Sequence, residues 1–217
     1  MRKVLSSEKS SLYRFTFLRH GESEGNAQGR VQGQADYSLT ETGRKQAQAL
    51  AARWLTEKVT FHRIISSPLA RSRETAEIIG NALEIPIDFN PLWMERDYGK
   101  LSGMVWDNAA QTEQRPLYFD LYQPVGETGE SLWELYLRGG KALSSLLTYP
   151  PGDYLVVSHG GILNMVLYAI LGIQPQAGFH GVRFYFRNTA FATITYNPAE
   201  HIWRFLGFND RFHWSDE

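Results

Sequence analysis

The chain has 217 residues, a formal net charge of −1, 43% hydrophobic and 21% charged residues, and no cysteine. That is enough apolar material for one substantial core, while the missing cysteines exclude disulfides and thiolate metal sites and permit a reducing compartment. Near-neutral charge without any lysine or arginine block gives no sign of a nucleic-acid or anionic-lipid partner. The segment Met1-Arg2-Lys3-Val4-Leu5-Ser6 lacks the apolar run of a signal peptide. The longest apolar stretch, Ile162–Ile173, is interrupted by Asn164 and is too short to span a bilayer. The expectation is a soluble, cytoplasmic protein with no membrane partner, one domain over 1–217 with an insertion. Its oligomeric state is left open, a homodimer being one option.

Leu12–Leu18 reads as a buried strand. Thr40 then caps a helix with apolar positions Ala47, Leu50, Ala51, Trp54 and Leu55. Arg63–Ser66 is a second strand, and Ser67 and Pro68 are read as the cap and first-turn proline of the next helix, which runs through Ala76, Ile79 and Leu83. Ile85–Phe89 is a short third strand. From Asn90 to Thr128 periodicity is lost among aromatics and glycines, which predicts a cap insertion over roughly 90–128. Ser131 caps a helix whose apolar face is Leu132, Leu135, Tyr136, Leu143, Leu146 and Leu147. Tyr154–Ser158 is a strand and Ile162–Leu171 a helix; Val182–Phe186, Ala190–Tyr196 and Trp203–Phe208 read as strands that end the sheet. This alternation predicts an α/β fold, a three-layer α/β/α sandwich around a mostly parallel sheet.

Two strand-to-turn junctions carry chemistry. Arg19-His20-Gly21 follows the first strand and His159-Gly160-Gly161 follows the fourth, each at a carboxyl end, where ligands of open α/β sheets bind. Arginine offers a permanent charge with forked donors suited to phosphate oxygens, and imidazole serves as nucleophile or proton carrier. A lone histidine after a strand is ordinarily structural. Here the adjacent arginine, the glycine turn and the second histidine in a matching context point instead to a phosphate site. Arg71 and Arg73 open a helix, where positive charge opposes the macrodipole unless an anion is bound. Arg71 is assigned to the pocket and Arg73 to solvent. Glu95 is assigned as the acid for a departing ester oxygen and then as the base for water, shielded by aromatics. His62, His180, His201 and His213 show no metal-ligand spacing and are read as structural.

Five ordered blocks resemble the histidine phosphatase superfamily, in the branch that includes cofactor-dependent phosphoglycerate mutase. They are Arg19-His20-Gly21-Glu22 with Asn26; Ser66-Ser67-Pro68 with Arg71, Glu74, Thr75 and Ala76; Glu95 with Gly99 and Gly103; Gly129-Glu130-Ser131; and Ser158-His159-Gly160-Gly161. The resemblance implies a phosphoglycerate-mutase-like fold, His20 as the phosphorylated nucleophile, and Arg19, Arg71 and His159 as ligands of the phosphoryl group. Asn26 assists them, Glu95 is the acid/base, and neither metal nor cofactor is called for. Ser23, Gln32 and Gly33 match positions near the pocket. Arg96, Tyr98 and Lys100 resemble substrate contacts around the mutase acid. The expected partner is a small phosphate ester.

Phosphomonoester hydrolysis through His20 is the favoured reading over mutase activity. Between Met104 and Gly126 the only base is Arg115, against Asp107, Glu113 and Asp120, whereas a doubly anionic glycerate favours a basic cap. Trp93, Tyr98, Trp106, Tyr118, Phe119 and Tyr122 predict a cap suited to uncharged or apolar ester bodies. Two further readings compete with this one. Gly21-Glu22-Ser23-Glu24-Gly25 fits a serine-esterase elbow but is not followed directly by a helix pattern. A non-catalytic phospho-ligand module would be expected to lack the nucleophile, an arginine or the acid, and all are present.

Overall fold

The computed structural model describes residues 12–108, 120–177 and 181–215. Expectations for Met1–Ser6, Glu113, Arg115, Tyr118, Phe119 and His180 lie outside these residues. Strands β1 (Tyr13–Arg19), β2 (Arg63–Ser66), β3 (Ile87–Phe89), β4 (Asp153–Ser158), β5 (Phe191–Asn197) and β6 (Ile202–Asp210) form one sheet in the order β3-β2-β4-β1-β5-β6. The pairs β3–β2, β2–β4 and β4–β1 are parallel; β5 and β6 add antiparallel neighbours at one edge.

Helices α1 (Glu24–Ala27), α2 (Glu41–Glu57), α3 (Ala70–Leu83), α4 (Leu132–Leu146) and α5 (Gly160–Leu171) connect or cover the strands. Successive strand side chains point to opposite faces, so strands buried on both faces are apolar throughout. Phe15, Phe17, Val156 and Ile194 pack beneath Leu146 of α4 and Leu163 and Val166 of α5. On the other face Leu18, Ile64, Leu155 and Val157 pack beneath Leu50 and Trp54 of α2 and Ala76 and Ile79 of α3. The architecture is the three-layer α/β/α sandwich that the alternation implied.

Local chemistry sets the helix ends. Thr40 Oγ1 accepts the Gly43 N–H at 3.0 Å, and Ser131 with Glu134 forms a reciprocal capping box. Two expectations are corrected. Helix α3 starts at Ala70 rather than at Ser67-Pro68, and no side chain at its N-cap Leu69 bonds to it. Asp36 Oδ1, from a distant loop, accepts the Ala70 N–H at 2.6 Å instead. Val182–Phe186 is not a strand. Its backbone is satisfied by side chains: Asn164 accepts the Phe184 N–H and donates to the Phe184 carbonyl, both at 2.8 Å, and Arg19 donates to the Phe186 carbonyl. From Asn90 to Asn108 the chain forms only short 3-10 turns, at Pro91–Trp93 and Gly99–Leu101, before Trp106–Asn108.

Candidate active site

Parallel pairing of β1 with β4 sets Arg19 opposite Ser158, so the next residues, His20 and His159, emerge side by side. The His20 N–H donates to the Ser158 carbonyl at 3.0 Å, and the two imidazole centroids lie 5.0 Å apart. His20 is buried, and its Nδ1 sits 2.7 Å from the Gly21 carbonyl oxygen. A carbonyl only accepts, so Nδ1 carries the proton and Nε2 keeps a free lone pair. Burial holds the imidazole well below the usual histidine range, reinforced by the charges of Arg71 and Arg19 and opposed by the Gly21 bond. At neutral pH His20 is uncharged, with the Nε2 lone pair free.

His159 forms the N-cap of α5, fully buried, with Nε2 bonded to Ser67 Oγ at 2.8 Å and Ser72 Oγ at 3.2 Å. Ser67 Oγ thus meets His159 as well as accepting the N–H of Leu69, the N-cap residue of α3, at 3.3 Å. Burial, then Arg71, His20 and Arg19, pushes the His159 pKa down as well. Arg71 is anchored by its terminal nitrogens to the Ala35 carbonyl (2.9 Å) and the Gly33 carbonyl (2.7 Å). Burial lowers Arg71 to about 10, so it stays charged at neutral pH, and burial lowers Arg19 as well, opposed by the charge of Glu95. Arg19 Nε, Arg71 Nε and His159 Nδ1 are buried without a hydrogen-bond partner among the described residues. Buried polar atoms left unpaired are costly, and this trio beside His20 fits an oxyanion with several acceptor oxygens.

Glu95 lines the cavity wall together with the rings of Tyr98 and Trp106. Its carboxylate accepts the backbone N–H groups of Gly161 (2.9 Å) and Ile162 (3.2 Å) at the start of α5, and that of Arg96 (2.8 Å). A Cβ on Gly161 would collide with Glu95 Oε1, so the second glycine of the His159-Gly160-Gly161 turn makes room for the carboxylate. Arg138 of α4 fixes the chain around it, donating to the carbonyls of Leu92, Met94 and Glu95 and pairing bidentately with Glu130. Sequence reasoning missed Arg138. The available signal is its place three residues after Leu135, on the buried stripe of an amphipathic helix.

Two adjoining cavities share Arg19, Glu95, Tyr98 and Trp106. The smaller, about 120 Å³, is lined also by His20, Asn26, Gln32, Gly33 and Arg71. The larger, about 300 Å³, has apolar walls from Leu132, Leu135, Met165, Phe184 and Phe186, with Arg96, Asn164, Arg183 and Tyr185 beside them. Its apolar side is thus built largely by α4, α5 and the 184–186 segment.

The remaining expected residues divide. Ser23 is buried as the N-cap of α1, its hydroxyl within reach of Asn26 Oδ1 and bonded to Gln32 Oε1 at 2.7 Å, so it braces the pocket. Gly33 adopts φ +51° and offers its carbonyl to Arg71. Buried Arg96 lies over the Tyr98 ring and donates to the Glu130 carbonyl. Three expectations are corrected. Lys100 is exposed, is paired with Glu127 and lines neither cavity. Trp93 is core, packed on Phe17. Tyr122 is exposed beside Trp133. Arg73 lies over the Phe89 ring outside the cavities, as expected. His62 accepts the Asp153 N–H and His201 meets the Tyr196 hydroxyl. Asn188, which sequence reasoning also missed, donates to the His20 carbonyl.

Among the described residues no group of three His, Cys, Asp or Glu could hold a metal ion, and no helix is long and apolar enough to cross a membrane. Paired histidines at neighbouring strand ends, with Arg19 ending β1 and buried Arg71 entering from α3, in a phosphoglycerate-mutase-like sandwich define a class of phosphoryl-transfer folds. The sequence pattern of the histidine phosphatase superfamily (branch 1) matches residues 15–211, and the chain belongs to that family. It is 36% identical over 190 residues to the probable phosphoglycerate mutase GpmB of Citrobacter koseri, covering 86% of this chain and 85% of that one. Among solved structures, Bacillus stearothermophilus YhfR is similar with a TM-score of 0.79 and 28% identity, covering 93% of this chain and 98% of that one. The alpha-ribazole phosphatase from Shigella flexneri gives 0.78 and 25%, covering 91% and 96%. The chain is accordingly an enzyme of the phosphatase-or-mutase type.

Proposed function

We propose that the chain is a metal-independent phosphomonoester hydrolase acting through a phosphohistidine on His20. The observation that carries this reading is the trio of unpaired buried atoms, Arg19 Nε, Arg71 Nε and His159 Nδ1, around an uncharged histidine. His20 Nε2 attacks phosphorus in line, forming a P–N bond as the ester P–O bond breaks. The arginines and His159 stabilise charge on the equatorial oxygens, doing the electrostatic work a metal does in other phosphoryl-transfer sites. Asn26 adds a donor from α1. Glu95 gives a proton to the departing alkoxide oxygen; the same carboxylate then takes a proton from the water that cleaves the phosphohistidine. The apolar walls of the larger cavity favour ester bodies that are uncharged or apolar.

A mutase reading has its own support. Relatives carry that name, and Arg96 and Arg183 line the larger cavity, where they suit an anionic ester body. A mutase would return the phosphoryl group to a second hydroxyl instead of to water. A panel of sugar, nucleotide and aryl phosphates and phosphoglycerate, with a bisphosphoglycerate primer supplied, separates the two. Phosphate release from apolar esters, together with loss of acid-labile labelling in His20→Ala, is the expected result. Interconversion of phosphoglycerates with little phosphate release would replace hydrolase by mutase and keep the site. Full turnover in His20→Ala would remove the mechanism, and loss of turnover in EDTA would remove metal independence.

A further inference from the structure

The turn Arg187-Asn188-Thr189, just before β5, lies against the backbone of the nucleophile. Asn188 Nδ2 donates to the His20 carbonyl at 3.0 Å and to Asn26 Oδ1 at 3.2 Å. The carbonyl of His20 can only accept, which fixes the Asn188 amide with its nitrogen inward. Asn26 Oδ1 also takes the Ser23 N–H at 3.2 Å. With its oxygen committed to these donors, the Asn26 side chain has its own NH2 available as the donor toward the cavity it lines with His20 and Arg71. One amide thus sets both the carbonyl of the nucleophile and the flip of a phosphate-side asparagine.

The C-terminal segment clamps this turn. Arg211 Nε donates to the Asn188 carbonyl at 3.0 Å, and the Thr189 hydroxyl donates to the same carbonyl at 2.7 Å. That hydroxyl has one proton, so toward His213 Nε2, 3.0 Å away, it accepts. The Thr189 N–H reaches the carbonyls of both Arg19 (3.1 Å) and His20 (3.3 Å). Thr189 is buried with φ +55°, an uncommon conformation for a β-branched residue that surrounding contacts must hold. Asp210 ties the segment back to α2 through a two-pronged pair with Arg53.

We propose that Asn188 is a positioning residue for phosphoryl transfer, acting through His20 and Asn26, and that Arg211 and His213 hold it in place from the C-terminal segment. The proposal rests on reading His20 as the phosphoryl acceptor. Its test combines calorimetric binding of inorganic phosphate with aryl phosphate kinetics on the full chain. Asn188→Ala should weaken phosphate binding about tenfold and lower kcat about 10- to 100-fold with a smaller change in KM, because misplaced groups cost rate more than affinity. Asn26→Ala should weaken phosphate binding by a similar factor, and the double variant by no more than either single one, because the two amides act in series. Asn188→Asp should be impaired at pH 7.5 and regain activity relative to wild type as the pH falls toward 5. There the introduced carboxyl takes up a proton and can donate again, a recovery that a merely structural role would not produce. Arg211→Ala, further from the cavity, should show a weaker version of the Asn188→Ala defect and decides the matter if the Asn188 variants do not fold. Additive losses in the double variant, unchanged kcat in Asn188→Ala, or no recovery at low pH would overturn the proposal. Absence of phosphate binding by the wild type would instead overturn the underlying reading of the pocket.

Discussion

His20 and His159 stand at the ends of two neighbouring parallel strands locked by the Arg19–Ser158 register. Glu95, Tyr98 and the 181–189 segment, by contrast, lie in chain outside the sheet, held by side chains from elsewhere. The two histidines of the floor are therefore set by backbone pairing, with Arg71 fastened beside them by the Ala35 and Gly33 carbonyls, and the wall is set by individual long-range bonds. A floor built this way suits the invariant part of a phosphate ester, the phosphoryl group. A wall built from separate contacts can vary with the ester body without disturbing the floor. The division predicts that floor substitutions act alike on all esters and wall substitutions act selectively.

Arg71 gives the largest effect by which that division can be broken. Removing it takes away a buried cation and leaves the carbonyls of Ala35 and Gly33 without their donor. Arg71→Ala should lower kcat/KM about 100- to 1,000-fold, and by the same factor for aryl, sugar and nucleotide phosphates. A loss that varies strongly with the ester body would place Arg71 in the wall instead.

Glu95 belongs to both regions, since the wall loop carries it and the first turn of α5 grips it. Glu95→Gln should cost about 100-fold for esters with poor leaving groups and about tenfold or less for activated aryl phosphates. A good leaving group departs with little protonation, so the missing acid matters less. Equal losses across a leaving-group series would take the acid role from Glu95.

The floor was legible in the sequence because its chemistry is contiguous. A strand that ends in Arg19-His20-Gly21 and another that ends in His159-Gly160-Gly161 need only parallel pairing to meet, and apolar runs buried on both faces imply that pairing. The wall was not legible, for a physical reason. Val182–Phe186 has the composition of a strand, yet its backbone bonds to the side chains of Asn164 and Arg19, partners that no local period reveals. Ser67-Pro68 has the look of a helix start, but the hydroxyl is engaged by His159, 92 positions away, and Asp36 serves the helix end. Arg138 and Asn188 act through carbonyl groups, and backbone acceptors leave no mark in a sequence.

Burial of the two floor histidines makes stability depend on pH in a definite direction. Both have folded pKa values below the ordinary 6.5, so the unfolded chain binds more protons than the folded one once the pH drops below that value. Their contribution is complete above pH 6.5 and is lost as the pH falls toward their folded pKa values, at up to about 1.4 kcal/mol per pH unit for each histidine. His213, lowered to about 4, adds to the loss in the same sense. Chemical denaturation between pH 7.5 and 5 should show this fall, and His20→Asn should reduce its slope. Turnover, corrected for ionisation of the substrate phosphate, should stay level through pH 6.5 because His20 remains uncharged. A kinetic limb centred near 6.5 would contradict the buried environment.

The smallest effect tests the wall alone. Tyr185 is 70% exposed and lines the larger cavity beside Phe184 and Phe186. An aromatic ester body reaching that cavity would cover part of the ring, and the area newly buried corresponds to about 1 kcal/mol or less. Tyr185→Ala should therefore raise KM about two- to fivefold for naphthyl or phenyl phosphates with kcat unchanged, the pattern of lost uniform binding. Small esters such as glycerol phosphate, too short to reach the ring, should be unaffected. Because the side chain is mostly in solvent, the fold should tolerate its loss, so a null result cannot be blamed on unfolding. An equal change for large and small esters would mean that Tyr185 acts through the floor, by way of the Phe186 carbonyl that holds Arg19, and the separation of floor from wall would fail at that point.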